Sequence, residues 1–232
     1  MIQINKYNSA WLGLNAGTLT DPGWFLKSAC ERETDLAGFG LVEFKAPVSD
    51  APAATLLQEA GFFWADAIIG FRIGLNRLAS TPSLERYECV SAADEPFHVG
   101  GHEMMEFQSE RFLSLPGMTS ELLAKRYESW ANQLIREEPS SCFRVLLGGK
   151  NQGWFLGKKQ GTSVDLTLAM LAQGAAASGA HLYHKALLAY SKMGCTMGKA
   201  AFSVKNTPVL NIYSSMGAHF THPEGVWMWV SK

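Results

Sequence analysis

The chain has 232 residues, of which 47% are hydrophobic and 18% charged, so it can bury a sizeable core and is not globally disordered. Its 20 Lys and Arg residues balance 21 Asp and Glu residues at a net charge of −1, which argues against a dedicated nucleic-acid binder. No run approaches about 18 apolar residues, the N-terminus lacks a signal-peptide pattern, and the four cysteines form no CxxC pair. We therefore expect a soluble, cytoplasmic globular protein with no membrane or nucleic-acid partner and no metal site.

The N-terminal part of the chain predicts a small strand–helix–strand unit. Apolar runs at 41–45 and 68–73 are typical of strands, and 50–59 predicts a helix between them. The same order of elements recurs at the end of the chain, so the first part resembles half of a repeated unit. We expect an N-terminal subdomain over residues 1–80, able to cover one edge or the floor of a sheet, and a second domain over residues 81–232.

The second half begins with an amphipathic helix. Leu123, Tyr127, Trp130 and Leu134 recur at helical spacing within 119–138. Short apolar runs separated by hairpin-type turns follow, and they predict an antiparallel meander.

A strand, a loop, a helix and another strand then predict a crossover connection. The expected elements are strands at 143–147, 154–157 and 163–171, a helix at 180–193, a strand at 198–204, a helix at 207–215 and a strand at 226–230. Thr207 is the expected cap of the last helix. A crossover joins parallel strands, so the sequence predicts a mixed α/β sheet.

The strand at 163–171 carries alternating side chains. This alternation places Val164, Leu166, Leu168 and Met170 on one face of the sheet and the polar and small residues on the other.

The loop between this strand and the next helix consists of small residues. They are Gly174, Ala175, Ala176, Ala177, Ser178, Gly179 and Ala180. Successive backbone amides that open a helix attract phosphate, so a pyrophosphate is one expected guest. Close packing of the helix on the sheet is the alternative interpretation.

A resemblance to a known family rests on residues near the end of the chain. Asn206 and Tyr213 lie seven residues apart, about two helical turns, and Gly217-Ala218 follows. Together with the strand, small-residue loop and Gly-terminated helix at 164–194, this pattern resembles the GCN5-related N-acetyltransferases (GNAT superfamily). The resemblance implies a mixed, mostly antiparallel sheet with a splayed parallel pair, flanked by helices and preceded here by a half-GNAT-like subdomain.

Within that superfamily the chain is most similar to the dTDP-4-amino-4,6-dideoxygalactose (fucosamine) N-acetyltransferases. The similarity lies in 168–182, in 109–112 and in the helix that carries Tyr127 and Trp130. It implies direct transfer of an acetyl or other acyl group from acyl-CoA to the primary amine of a small molecule, with an amino-sugar nucleotide as the default acceptor.

The resemblance also assigns roles to residues of the cleft. The backbone amide at Met170 would polarise the thioester carbonyl, and Tyr213 would donate a proton to the departing thiolate. Leu168, Leu171, the loop at 174–180 and Asn206 would hold the donor, with Asn206 contacting the pantetheine or positioning its own helix.

The acceptor end is defined by fewer residues. Arg111 would bind an acidic acceptor or form a structural ion pair. No general base is obvious, and Asp165 and Glu106 are the candidates.

The loop departs from the family pattern, which leaves alternatives open. The family's Arg or Gln position is Gly174 here, unless Gln173 takes it, and the family's central glycine is Ala177. This departure motivates a donor on an acyl carrier protein, with Lys158, Lys159 and Lys185 as docking candidates, or a domain that binds without catalysis.

The final strand raises the question of self-association. Trp227 and Trp229 lie on it and would serve either a homodimer interface or the core.

Overall fold

A computed structural model of the chain describes residues 1–104 and 110–231. Its strands are β1 Ile2–Ile4, β2 Ala16–Leu19, β3 Leu41–Pro47, β4 Phe63–Gly74, β5 Tyr87–Ser91, β6 Cys142–Leu147, β7 Lys150–Gln160, β8 Ser163–Leu171, β9 Met197–Ser203, β10 His219–Phe220 and β11 Glu224–Val230. Its α-helices are α1 Lys6–Leu12, α2 Ala29–Leu36, α3 Ala54–Glu59, α4 Pro82–Glu85, α5 Ser120–Glu137, α6 Gly179–Lys192 and α7 Thr207–Ser215.

The described strands form one mixed sheet. Its order is β1-β2-β3-β11-β4-β9-β8-β7-β6-β5, with β10 paired to β4 beside β11. The pairs β2–β3 and β8–β9 are parallel, and the others are antiparallel. The predicted α/β fold with a mixed, mostly antiparallel sheet is confirmed.

The two halves of the chain exchange strands at the centre of the sheet. β4, from the first half, pairs with β9 of the second half, while β11, from the second half, pairs with β3 of the first. The N-terminal part was expected at an edge or on the floor of the sheet, and instead it inserts β4 into the middle. Strands from both sides of residue 80 belong to this one sheet. The division into domains 1–80 and 81–232 stays a prediction.

Three hydrophobic clusters stabilise the sheet. One packs α5 against one face, and another packs α6 and α7 against the opposite face. The third is aromatic and lies in the N-terminal half, where Trp24, Phe25, Phe44 and Phe62 surround each other and Trp227 joins them from β11. Because Trp227 crosses from the other half, this cluster also depends on the strand exchange.

The helices of the second half begin and end close to their predicted limits. Thr119 caps α5, and Ser178 caps α6, which ends before Gly194 in the left-handed conformation at φ +84°. The cap of α7 is Asn206 and not Thr207, because the Asn206 side chain accepts a hydrogen bond from the amide of Val209. Among the helices that the structure describes, none has the length and apolarity needed to cross a bilayer.

β11 is an internal strand, with β3 along one edge and β4 along the other. Trp227 is buried between Phe44 and Trp64, so its side chain belongs to the core. A homodimer through this strand would lack a free edge, and self-association stays a prediction.

Deleting β11 tests the strand exchange. Removal of residues 223–232 leaves β3 without seven paired positions and β4 without five, so we expect the truncated chain to lose cooperative unfolding in thermal circular dichroism. Removal of residues 2–4, which deletes only the edge strand β1 and its three pairs, is the control and should lower the midpoint by a few degrees. A cooperative transition at an unchanged midpoint in the first variant would contradict the strand exchange.

Candidate active site

The strands β8 and β9 form a parallel pair that opens after three positions. Ser163, Val164 and Asp165 pair with Met197, Gly198 and Lys199, and the two strands diverge beyond them. A cleft of about 570 Å³ enters this opening, with residues 166–169 on one side and 200–203 on the other. The predicted crossover thus forms a splayed pair.

A one-residue bulge at Thr167 shapes the wall formed by β8. Leu156 pairs with Leu168, but the next residue of β7, Gly157, pairs with Leu166, so Thr167 is the extra residue. Val164 and Leu166 therefore pack on the α6 face, whereas Leu168 and Met170 pack on the α5 face. The prediction that all four share one face is wrong, because the bulge reverses the alternation.

The same bulge changes which backbone amides of β8 point toward β7 and which point toward the cleft. The amide of Ala172 donates to the carbonyl of Gln152 on β7 at 2.9 Å. Since successive residues of a strand alternate, Met170 also directs its amide to β7, and the amides of Ala169 and Leu171 face the cleft. The amide of Met170 therefore points away from the cleft, and an oxyanion role at this strand stays a prediction.

Tyr213 on α7 lines the cleft in an aromatic environment. Its ring lies 4.0 Å from that of Phe71 and 5.3 Å from that of Tyr183, centroid to centroid. Its hydroxyl forms no hydrogen bond with any residue that the structure describes. Burial raises the pKa of Tyr213 well above its ordinary value, so the hydroxyl keeps its proton and can donate it.

Asn206 lines the same cleft and begins α7. Its Oδ1 accepts a hydrogen bond from the Val209 amide at 3.3 Å, so it positions the helix that carries Tyr213. This is the second of its two expected roles, and a contact with pantetheine stays a prediction.

The small-residue loop is the expected pyrophosphate site, and two of its amides already have a partner. The amides of Ala176 and Ala177 both donate to Oε1 of Gln152 at 2.9 Å. Gln152 lies on β7 and is only 4% exposed, so its carbonyl oxygen fills the place that an anion would take.

Other groups of the loop are also engaged. The amide of Gln173 donates to a carboxylate oxygen of Glu103 at 3.0 Å, which puts a negative charge where a phosphate would approach. A Cβ on Gly179 would lie 3.0 Å from Cδ1 of Ile212, so Gly179 permits close packing of α6 on α7. Gly174 has φ +74°, which makes it a turn residue. Packing and turn formation explain these residues, and a pyrophosphate at this loop stays a prediction.

The residue expected to bind the acceptor, Arg111, lies at the polar end of the cleft in an ion-pair network. Its Nε donates to Glu43 at 2.6 Å and its Nη1 contacts Glu110 at 3.3 Å. Burial opposes the charge of Arg111, but the two carboxylates outweigh it and raise its pKa. Burial likewise opposes ionisation of Glu43, and Arg111 and Lys45 outweigh it and lower the pKa of Glu43. The alternative of a structural ion pair accounts for these contacts.

The sequence analysis missed Asp66 of β4, which is 1% exposed and lines the cleft. Its Oδ1 accepts hydrogen bonds from Ser203 Oγ at 2.9 Å and from the Ala67 amide at 2.8 Å, and Lys205 Nζ lies 3.7 Å away. Its Oδ2 accepts no hydrogen bond from the described residues. An aspartate within the apolar run 62–71 was the available signal, but nothing local linked it to β9.

Of the two candidate bases named from the sequence, Asp165 does not line this part of the cleft. Asp165 pairs with Lys199 at 3.2 Å where β8 and β9 are still joined, and Glu106 lies outside the described residues. No three His, Cys, Asp or Glu side chains in the described part of the chain could together hold a metal ion.

The three lysines proposed as a docking patch do not form one surface at the loop. Lys158 and Lys159 lie on β7 opposite Asp165 and Val164, at the closed end of the splay. Lys159 Nζ donates to the carbonyl of Met193, and Lys185 Nζ donates to that of Leu84. A carrier protein that docks through these three residues stays a prediction.

Known structures share this architecture. The chain is similar to a GCN5-related N-acetyltransferase from Sphaerobacter thermophilus (TM-score 0.54, 16% identity, 82% of this chain and 59% of that one). It is also similar to a functionally unknown conserved protein from Staphylococcus epidermidis (0.54, 11%, 94% and 85%) and to a GCN5-related N-acetyltransferase from Kribbella flavida (0.52, 12%, 94% and 82%). No protein-family model matches the sequence, and no curated protein matches it. The chain has the fold of the GCN5-related N-acetyltransferases.

The hydrogen bonds of Ala176 and Ala177 to Gln152 lead to a prediction about the binding of CoA and of pantetheine. Wild type should bind CoA and pantetheine with dissociation constants within about threefold, because Gln152 already accepts the amides of Ala176 and Ala177. Gln152→Ala frees the amides of Ala176 and Ala177, so we expect CoA binding to tighten about tenfold, or about 1.4 kcal/mol, with pantetheine unchanged. Isothermal titration measures both ligands.

Gln160→Ala, on the same strand but at the closed end of the splay, is the matched control and should change neither affinity. Tight CoA binding by wild type together with weak pantetheine binding would show that the loop does accept a pyrophosphate.

Proposed function

We propose that this protein transfers an acyl group from a pantetheine thioester directly to the primary amine of a small molecule. The observation that carries the proposal is the cleft between β8 and β9, where the bulge at Thr167 turns backbone amides toward the opening beside Tyr213. An extended pantetheine arm carries amide groups of its own, so it can pair with such an open strand edge.

The reaction follows from the groups that line the cleft. The amide of Ala169 or Leu171 donates a hydrogen bond to the thioester oxygen, and the neutral amine attacks the carbonyl carbon. When the tetrahedral intermediate collapses, the carbon–sulfur bond breaks and the amide product forms. Tyr213 gives a proton to the thiolate, which leaves easily and needs only this assistance, and the proton that the amine nitrogen loses finally replaces it through solvent.

Asp66 is the carboxylate that we assign to the attacking amine. An amine arrives largely protonated at neutral pH, and it must lose that proton before or during attack. The Oδ2 of Asp66 accepts no hydrogen bond from the described residues and lines the cleft, so it can take the proton or orient the ammonium group.

The donor is defined by its pantetheine thioester, and acetyl-CoA is the simplest form of it. The hydrogen bonds from Ala176 and Ala177 to Gln152 favour a second form, an acyl-pantetheine on a carrier protein, which brings no CoA pyrophosphate to the loop. For the acceptor, an amino-sugar nucleotide remains the first to test. Thiol release from acetyl-CoA and from acetyl-pantetheine in the presence of amines tests the activity, and a protein that binds but never releases thiol would be a binding domain.

Removal of the Tyr213 hydroxyl tests its role as the proton donor. We expect Tyr213→Phe to lower kcat about 10²-fold, because the thiolate leaves unprotonated, while thioester binding stays within about twofold. Tyr87→Phe, a buried tyrosine of β5 outside the cleft, is the control.

The pH profile tests the same residue independently. Burial raises the pKa of Tyr213, so its acid form persists above the ordinary tyrosine value and wild-type kcat should show no alkaline decline near about pH 10. A decline there that disappears in Tyr213→Phe would contradict the assignment.

Replacing the carboxylate tests the role of Asp66. Asp66→Asn preserves the size of the side chain but removes its charge, so we expect kcat/KM for the amine to fall about 10²-fold at pH 7 and to recover as rising pH deprotonates the free amine. Asp165→Asn, which lies at the closed end of the splay, should retain wild-type rates. Equal losses in both variants would remove Asp66 from the reaction.

A further inference from the structure

Arg126 of α5 is a cation almost enclosed by aromatic rings at the polar end of the cleft. The residue is 8% exposed, and its guanidinium carbon lies within 6 Å of five ring centroids. The rings are those of Phe112 at 4.9 Å, Trp11 and Tyr127 at 5.3 Å, Tyr7 at 5.5 Å and Trp130 at 5.8 Å. Such rings stabilise the charge through their faces.

The guanidinium of Arg126 makes no hydrogen bond within the described part of the chain. Its Nε is enclosed by protein without a partner, and its Nη1 lies 4.0 Å from Glu110 Oε2, beyond hydrogen-bond distance. The two terminal nitrogens are not enclosed, and Arg126 lines the cleft. The N–H groups of a buried guanidinium normally donate hydrogen bonds to nearby acceptors. Those of Arg126 have no acceptor among the described residues, so its exposed edge is free to bind a ligand.

The carboxylates nearest to Arg126 already have other cations as partners. Arg111 contacts the carboxylates of Glu43 and Glu110, and Lys45 lies 3.0 Å from Glu43. Within the described chain, Arg126 is therefore the cation of this group that lacks a hydrogen-bonded carboxylate, and its terminal nitrogens reach the cleft.

We propose that Arg126 binds an anionic group of the acceptor, a carboxylate or a phosphate. The proposal rests on the proposed function and specifies its substrate class as a primary amine that also carries an oxyanion. Two terminal N–H groups in a fixed plane match two oxygens of either anion, and the nearest carboxylate, that of Glu110, lies beyond hydrogen-bond distance at 4.0 Å. Asp66, in the same cleft, attracts the ammonium end, so the two residues orient the amine toward β8.

A direct binding experiment tests Arg126 without any assay of transfer. Wild type is titrated calorimetrically with inorganic phosphate and with malonate at constant ionic strength, and we expect saturable binding of at least one probe. Arg126→Gln should weaken it at least tenfold. Arg136→Gln removes the same charge from an exposed position of α5 outside the cleft, and it should bind within about twofold of wild type.

The wild-type titration is itself decisive, because Arg126→Gln could fail to fold. Absence of binding of both probes to wild type, or equal binding by the Arg126→Gln variant and by wild type, would overturn the proposal. Arg126→Lys keeps the charge but loses the paired donors, so we expect it to fold and to bind the probes about threefold to tenfold more weakly.

An acceptor panel then distinguishes the two anion sources. Wild-type rates are compared for an amino acid and its carboxamide, and for an amino-sugar 1-phosphate and the free amino sugar. We expect one anionic member to have a KM at least tenfold below that of its neutral partner, and Arg126→Lys to raise that KM while kcat changes less. Equal KM values within both pairs would overturn the proposal. If no amine is acylated, the proposed function fails, while the titration still decides whether Arg126 binds an anion.

Discussion

The site depends on a single extra residue in one strand. Thr167 is a bulge in β8, and it reverses both the side chains and the backbone groups of every residue that follows. Before the bulge, β8 pairs with β9; after it, Leu168 and Met170 pack toward α5 while the amides of Ala169 and Leu171 face an open cleft. The bulge thus lies just beyond the last pair of β8 with β9, at the place where the cleft opens.

The exchange of strands gives the cleft its polar end. β4 and β3 come from the first half of the chain, and they bring Asp66 and Lys45 beside residues of α5 and β9. The hydrogen bond from Ser203 to Asp66 joins positions 137 residues apart. Neither half therefore holds a complete set of polar groups, although the half around β8 and β9 alone provides the splay. In the proposed function, the donor therefore binds to groups of one half, and the acceptor to groups of both.

The two ends of the cleft also differ in how their polar groups are satisfied. At the small-residue loop, Gln152 and Glu103 accept hydrogen bonds from the amides of Ala176, Ala177 and Gln173. At the acceptor end, Arg126 is surrounded by rings and has no hydrogen bond within the described chain. For the proposed function, this asymmetry favours a neutral pantetheine arm on one side and an anionic acceptor on the other, because a buried donor without a partner is unfavourable.

The sequence by itself determined what local forces decide. Helical period, caps and glycine stops located α5, α6 and α7 to within a residue or two, and the strand–loop–helix–strand order predicted the parallel pair with Asn206 and Tyr213 beside it. The tertiary structure alone decided the bulge at Thr167, the insertion of β4 between β9 and β11, and the contacts of Gln152. Each of these depends on which distant strand becomes the neighbour, and that choice minimises the free energy of the whole sheet, so no local pattern encodes it.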